Sequence, residues 1–309
     1  MELIRGLHNL RARHQPCVAT IGNFDGVHLG HQAVLGHLAE KAAALDLPTV
    51  VILFEPQPRE FFQRDKAPPR IHRLRDKLQA LRRYSVDRVL LVRFDAKFAS
   101  LQAADFIERV LVNGLGVRYL VVGDDFRFGQ NRQGDFAMLQ QAGARHGFDV
   151  AGMHTFQIDS ARVSSTRVRE ALQGGDLARV EQLLGRPYRI SGAVLHGDKL
   201  GRQLGFPTAN VALGKHIPPL TGVFAVDVFG LAREPWPGAA NLGWRPTVDG
   251  RRFSLEVHLL DFSGDVYGQH LQVDFLKRLR GEEKFASLDE LTVQIGRDVT
   301  ATRAFFGLE

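Results

Sequence analysis

Two histidines three residues apart, His28 and His31, stand in the run Gly22-Asn23-Phe24-Asp25-Gly26-Val27-His28-Leu29-Gly30-His31-Gln32. Before it, Val18-Ala19-Thr20-Ile21 reads as a buried strand; after it, Val34, Leu38, Ala42 and Leu45 fall on one helical face. The histidines therefore belong to a helix N-terminus, where unpaired backbone N–H groups and the positive end of the helix dipole favour an anion. The glycines let backbone come close to that anion, and two imidazoles on such a turn can both donate to phosphate. A His-x-x-His pair with Asp25 also has the makings of a metal cluster, and isolated surface histidines are ordinary in a chain with 12 of them. The Gly-rich strand-to-helix setting favours a nucleotide-phosphate site.

No Gly-x-x-x-x-Gly-Lys-Ser/Thr run occurs, so any ATP is held without a P-loop. Two further segments can substitute. Val122-Gly-Asp-Asp125-Phe126-Arg-Phe128-Gly129 runs off a strand, and Ser164-Ser165-Thr166-Arg-Val-Arg169 opens a helix with hydroxyls and guanidiniums that can bind phosphate and neutralise charge. Each alone is more often an N-cap or a solvated loop; all three at the carboxyl ends of one sheet shift that balance towards a site.

A third polar run lies further on: His196-Gly197-Asp-Lys-Leu-Gly201-Arg-Gln-Leu-Gly205-Phe206-Pro207-Thr208-Ala-Asn210. Its glycines permit a tight loop around phosphate, and Thr208 and Asn210, two apart on an extended segment, point to the same side. Two neutral oxygens there could complete a Mg²⁺ shell of water and phosphate oxygens, or simply form the polar face of a strand. Glu256, in Ser-Leu-Glu-Val-His-Leu-Leu, shares a strand face with Ser254 and His258, opposite Leu255, Val257 and Leu259. A carboxylate so placed could accept a hydroxyl proton or stand solvated on the strand.

The scaffold behind these residues divides in two. Up to about residue 185, strand candidates at 17–21, 49–54, 87–94, 118–122 and 148–153 alternate with helices at 31–45, 73–84, 101–112 (Ser100 its N-cap) and 134–146. That pattern predicts a Rossmann-like parallel sheet covered by helices, with ligands outside the carboxyl ends of its strands. Short helices near 165–173 and 176–184 close this half. After Gly185-Arg186-Pro187, short β-rich runs at 188–196, 206–212, 222–229, 238–243, 252–261 and 268–275, broken by Gly and Pro, predict a small antiparallel β-barrel or sandwich. Ser287-Leu-Asp-Glu290 then starts a terminal helix with an apolar stripe of Leu288, Leu291, Ile295 and Val299. The expected domains are 1–185 and 186–309.

With 309 residues, 44% apolar and 24% charged, the chain has the composition of a globular protein with room for two cores. Its single cysteine, Cys17, excludes a disulfide framework and a cysteine-rich zinc site, and suits a cytoplasmic setting. The first sixteen residues lack an apolar signal core, and no apolar run approaches the length of a bilayer span, so no membrane is expected. A net charge of +6 suits polyanions, but Lys and Arg are interspersed with Asp and Glu instead of forming a basic stripe, which favours nucleotides over nucleic acid.

Taken together and in order, these motifs, with Phe54-Glu-Pro-Gln-Pro58, Asn241-Leu-Gly-Trp-Arg-Pro-Thr247 and Asp261-Phe-Ser-Gly-Asp-Val-Tyr-Gly268, closely resemble the bacterial bifunctional riboflavin kinase/FAD synthetase family over essentially the whole chain. The Gly-Phe-Pro-Thr-Ala-Asn segment carries the most selective match. The resemblance implies that the first domain adenylylates FMN to FAD with release of pyrophosphate, and that the second phosphorylates riboflavin to FMN with release of ADP. It implies ATP contacts by Gly22, Asn23, Phe24, Asp25, Gly26, His28, His31, Ser164, Ser165, Thr166 and Arg169, with His28, His31 and Arg169 catalytic. It also implies a flavin or nucleotide loop with Asp125, Phe126 and Phe128, and a kinase nucleotide loop with Gly197, Gly201, Gly205, Phe206, Pro207, Thr208 and Asn210. Mg²⁺ falls to Thr208 and Asn210, and the kinase base to Glu256. Asp125 stands where many relatives carry Asn, and Leu242-Gly-Trp244 where Ile-Gly is commoner. No nucleic acid and no obligate protein partner is expected. The rivals are a nucleotidylyltransferase with another acceptor, a nucleic-acid-binding barrel protein and a flavin store.

Overall fold

The computed structural model describes residues 1–153, 156–159, 161–197, 200–247 and 250–308, and for residues 200, 246, 247, 250 and 251 the backbone alone. Two compact units form: Met1–Pro68 with Lys77–Ser164, and Pro69–Asp76 with Ser165–Glu309. In the first, β1 (Glu2–Arg5), β2 (Cys17–Ile21), β3 (Thr49–Glu55), β4 (Arg88–Arg93), β5 (Val117–Gly123) and β6 (Asp149–Met153) make one sheet in the order β1-β4-β3-β2-β5-β6, every neighbouring pair parallel. Every residue of β2 is buried, as a central strand covered on both faces requires. Helices α1 (Leu29–Leu45), α2 (Pro58–Gln63), α3 (Leu74–Leu81), α4 (Ala96–Ala99), α5 (Ala103–Phe106) and α6 (Phe136–His146) occupy the connections, and β7 (Gln157–Ile158) and β8 (Ala161–Arg162) form a short ribbon. The chain steps outward from β2 to β3 and β4, then returns to place β5 on the other side of β2. The topological switch point therefore lies between β2 and β5.

The second unit opens with α7 (Ser165–Gly174) and α8 (Leu177–Leu184), the latter burying Leu177, Val180, Leu183 and Leu184. A closed antiparallel barrel follows from β9 (Tyr188–Leu195), β10 (Ala209–Val211), β11 (Gly222–Phe229), β12 (Trp236–Thr247), β13 (Gly250–Leu259) and β14 (His270–Arg280), in the order β10-β13-β12-β11-β14-β9. Helix α9 (Leu200–Gln203) lies between β9 and β10, and α10 (Leu288–Phe306) ends the chain. The segment 69–76 is held on this unit by Tyr188, whose hydroxyl donates to the Ile71 carbonyl at 2.9 Å, and by Arg73, which donates to the carbonyls of Ala212 and Ser191.

Four expectations need correction. Ser100 ends α4 and does not start the next helix: its hydroxyl donates back to Lys97 O, while Asp95, a stronger acceptor, caps α4 through Phe98 N. The helix expected over 101–112 starts at Ala103 and widens over Ile107–Val112 into a π-helical turn. The strand expected at 206–212 shrinks to Ala209–Val211, because Pro207 has no N–H to give a ladder and its carbonyl accepts from His258 instead. In α10, Leu288 is exposed, and Asp298 and Thr302 are the buried positions. Leu291, Ile295 and Val299 of the expected stripe are half-buried, and Asp298 takes both Arg280 Nε and Arg280 Nη2, so an ionic contact adds to the stripe in fixing this helix. The edge strand β1 and the short α9 were not anticipated.

Candidate active sites

In the first unit the β2–α1 turn is built around its two histidines. His28 is the N-cap of α1: its Nδ1 accepts from the His31 backbone N–H at 3.3 Å, which leaves the proton of a neutral ring on Nε2. The His28 and His31 rings stack with centroids 3.6 Å apart, and Phe24 lies 4.8 Å from His31. Gly30 lets the chain approach closely here, since a Cβ would stand tight against the His28 ring at 3.2 Å and the Val163 carbonyl at 3.3 Å. The loop also holds two non-glycine residues at positive φ, Phe24 at 46° and Val27 at 45°, both buried. Such backbone costs energy and persists only where its surroundings over-determine it.

The Gly123–Gly129 loop leaves β5 beside β2, so two of the three predicted segments meet at the switch point. The residues just before the third segment reach the same place: the Val163 carbonyl stands against Gly30, and Arg162 pairs with Asp125 at 2.9 Å. The Arg162 guanidinium holds the Asp125 carboxyl below its usual range. Phe126 and Phe128 stack at 5.6 Å, with Phe128 buried in the core against Phe106. Ser165, Thr166 and Arg169 belong to the second unit, where Arg169 Nε donates to the Pro69 carbonyl at 2.9 Å.

Sequence reasoning missed two features of this unit. Lys77 on α3 is buried, and its ammonium donates to the Asn23 carbonyl at 2.6 Å. Beyond the carboxyl ends of β3 and β4, Phe54, Phe61, Phe62 and Phe98 all pack on Phe94 with centroids 5.5–5.8 Å apart, leaving Phe62 67% exposed. The Phe54-Glu-Pro-Gln-Pro58 motif marked the place without a role. Burial, His28 and Lys77, in that order, hold the His31 imidazole well below its ordinary range. Burial pushes the Cys17 thiol up to about 12, which removes it as a nucleophile. Among the described residues no cluster of His, Cys, Asp and Glu is arranged for a metal ion.

In the barrel, Asn210, Glu256 and Asn241 stand in register on neighbouring strands β10, β13 and β12, which puts their side chains in one row on one face. Glu256 is buried and ion-paired with Arg245, a partner the sequence did not reveal. Two residues along the same strand, His258 Nδ1 donates to the Pro207 carbonyl at 2.9 Å and fixes the turn before Thr208. Glycines make room for the motif: a Cβ on Gly197 would strike the Asn210 amide at 2.4 Å, and one on Gly201 would meet the Phe206 carbonyl at 2.5 Å and Thr208 Oγ1 at 3.2 Å. Gly205 adopts φ 86°, which favours glycine, and Phe206 packs edge-on against His258. Asp198 and Lys199 lie outside the described residues.

A parallel α/β sheet with a histidine-bearing anion turn at its switch point, and a closed barrel with a polar row under a Gly-rich loop, define a two-site protein of nucleotide chemistry. Residues 10–167 match the FAD synthetase family model and residues 184–306 the riboflavin kinase model. The chain is 56% identical over 309 residues to the bifunctional riboflavin kinase/FMN adenylyltransferase of Escherichia coli (strain K12), covering 100% of this chain and 99% of the relative. It is 54% identical to the protein of that description from Haemophilus influenzae, covering 99% of each. A crystal structure of a protein described as a macrolide-efflux protein from Streptococcus pneumoniae superposes with a TM-score of 0.84 at 29% identity, covering 98% of this chain and 99% of that one. Among the described residues no helix is long and apolar enough to cross a membrane. The chain belongs to the bifunctional riboflavin kinase/FMN adenylyltransferase family.

Proposed function

We propose that this chain makes FAD from riboflavin in two ATP-dependent steps, with residues 1–185 transferring adenylyl groups to FMN and residues 186–309 phosphorylating riboflavin. Both activities are those of its family. The observation that carries the assignment of sites is the meeting of the His28/His31 turn and the Gly123–Gly129 loop at the β2/β5 switch point, apart from the in-register row Asn210, Glu256 and Asn241 in the barrel.

FMN brings an already anionic phosphate to the α-phosphorus of ATP, so the first site needs charge stabilisation for departing pyrophosphate more than a base. His28 supplies its Nε2–H, with the ring fixed by the cap bond through Nδ1. His31 lies stacked beneath it and gains affinity for a proton when a polyanion arrives. Gly22, Asn23, Phe24, Asp25 and Gly26 form the backbone of the same turn, and Ser164, Ser165, Thr166 and Arg169 keep the nucleotide-handling roles the resemblance implies. The aromatic shelf ending in exposed Phe62 offers a stacking surface for an isoalloxazine ring, with Asp125, Phe126 and Phe128 on the neighbouring loop.

Riboflavin presents a neutral 5′-hydroxyl to the γ-phosphorus, and Glu256 is the acceptor for its proton. Arg245 pairs with this buried carboxylate and aims it. The loop Gly197, Gly201, Gly205, Phe206 and Pro207 cradles the phosphates. The Thr208 hydroxyl and Asn210 amide offer neutral oxygens that suit a hard cation, and these two would hold Mg²⁺, which would neutralise triphosphate charge. ADP and pyrophosphate are the leaving products, and the lone buried Cys17 suits a cytoplasmic setting. Incubating the full chain with riboflavin, ATP and Mg²⁺ tests the reading: FMN followed by FAD is expected, and neither product, or FMN alone with FMN supplied in excess, refutes it.

A further inference from the structure

Lys77 belongs to no motif of the sequence, yet it is one of the largest fully buried side chains of the molecule, 1% exposed. An ammonium costs several kcal/mol to bury even when hydrogen-bonded, and an apolar side chain of similar size would fill the space without that penalty. One of its contacts ties it to the nucleotide turn: at 2.6 Å it grips the carbonyl of Asn23, the residue before Phe24, whose φ of 46° is unusual for a bulky side chain. Phe24 in turn stands against the His31 ring. A carbonyl held from behind fixes the peptide plane that leads into the strained residue, and so the direction of the backbone facing the ligand.

We propose that Lys77 is a positioning residue of the adenylyl-transfer site: from behind the β2–α1 turn it holds the Asn23–Phe24 backbone in its ligand-ready form and supplies fixed positive charge to the nucleotide phosphates. The inference rests on the reading of this turn as the triphosphate site. It requires no direct contact with substrate, since a charge in a water-poor surrounding acts over several ångströms. Lys77 already acts on its neighbour in the site, because its charge is one of three causes that keep the His31 ring unprotonated.

The test uses the full chain with Lys77→Met, which removes charge and donor, Lys77→Gln, which keeps a donor without charge, and Lys77→Arg, which keeps the charge. The NMR dispersion and cooperative melting of the first unit report its folding, and riboflavin phosphorylation by the same molecules reports that the second unit is intact. Lys77→Met should lower kcat/KM for FMN adenylylation by about 10–10²-fold, mainly through kcat, with riboflavin phosphorylation unchanged. Lys77→Gln should recover only part of the loss and Lys77→Arg more. The His31 imidazole, followed by NMR, should titrate at higher pH in Lys77→Met and Lys77→Gln than in the parent. Should Lys77→Met not fold, the order of Gln and Arg and the His31 titration of Lys77→Gln against the parent decide. Wild-type adenylylation in Lys77→Met, or in a folded Lys77→Gln with His31 unmoved, overturns the proposal. His28→Ala/His31→Ala serves as reference: adenylylation retained there refutes the site itself, whereas adenylylation lost there and retained in Lys77→Met refutes only the role of Lys77.

Discussion

Replacing Glu256 by Gln separates proton transfer from architecture, because the structure fixes what each should cost. The side chain is 4% exposed, lies between Asn210 and Asn241 in register, and pairs with Arg245, which is 36% exposed. Gln keeps the volume and can still accept from the guanidinium, but it cannot take a proton from riboflavin. Removing one partner of a buried pair costs about 3–5 kcal/mol. Here Arg245 is partly hydrated and Gln retains a hydrogen bond, so the loss falls to roughly 1–2 kcal/mol. That leaves a folded domain, against which loss of a general base should reduce turnover by about 10²–10⁴-fold. Single-turnover phosphorylation with [γ-³²P]ATP, riboflavin binding by flavin fluorescence, and adenylylation of supplied FMN should be measured on the same preparation. Expected are near-parent binding and adenylylation with slow phosphorylation. Parent-like single-turnover phosphorylation excludes Glu256 as the base, and weakened binding with unchanged turnover makes it a positioning residue.

Three further outcomes are expected. His28→Ala/His31→Ala should abolish most FAD formation and let FMN accumulate, read by chromatography of flavin products; equal loss of both reactions in a folded protein contradicts separate sites. The His31 ring is held below its ordinary range by burial, so between its folded value and about pH 6.5 the unfolded chain binds more protons and stability falls as pH falls. Its slope approaches about 1.4 kcal/mol per pH unit. Urea melts from pH 7 to pH 5 should flatten in His31→Asn, with the residual slope partly owed to His270, which burial also lowers. A fragment of residues 186–309 should phosphorylate riboflavin but melt well below one of residues 165–309. The longer fragment keeps the buried Leu177, Val180, Leu183 and Leu184 of α8, each worth about 1.5–3 kcal/mol, and equal melting would show that α8 does not support the barrel.

What could be read from the sequence followed from periodicity and local chemistry. The strands at 17–21 and 222–229 are found where the pattern puts them, because one is a short run, apolar but for Thr20 and buried throughout, and the other is bounded by Gly222 and Gly230. The boundaries that shifted did so where a side chain competed for a backbone group: Ser100 for Lys97 O, Asp95 for Phe98 N, His258 for Pro207 O. The docking of α10 is legible in half-buried Leu291, Ile295 and Val299, but its most buried contact, Asp298 with Arg280, joins two residues that composition assigns to the surface. Glu256 was legible as a polar strand position but its ion pair was not, since Arg245 meets it only through the register of β12 and β13.

Motifs show the residues that face a ligand and conceal those that hold the motif's backbone. Lys77 grips the Asn23 carbonyl from 54 residues away, His258 the Pro207 carbonyl from 51, and Arg169 the Pro69 carbonyl from 100. In each case a side chain on a helix or strand donates to a carbonyl in a loop or connecting segment. For the two Gly-rich loops the physical need is the same: glycine lets backbone approach phosphate but leaves the loop many conformations to lose on binding. A donor fixed on the scaffold removes part of that loss before the nucleotide arrives, which raises the fraction of encounters that meet a ready site. Because only the carbonyl is recognised, the identity of the gripped residue carries no signal, and because the donor sits on a distant element, neither does local spacing. The reaction chemistry of this family is therefore written in short runs of sequence, while the precision with which the runs are held is written in single residues scattered along it.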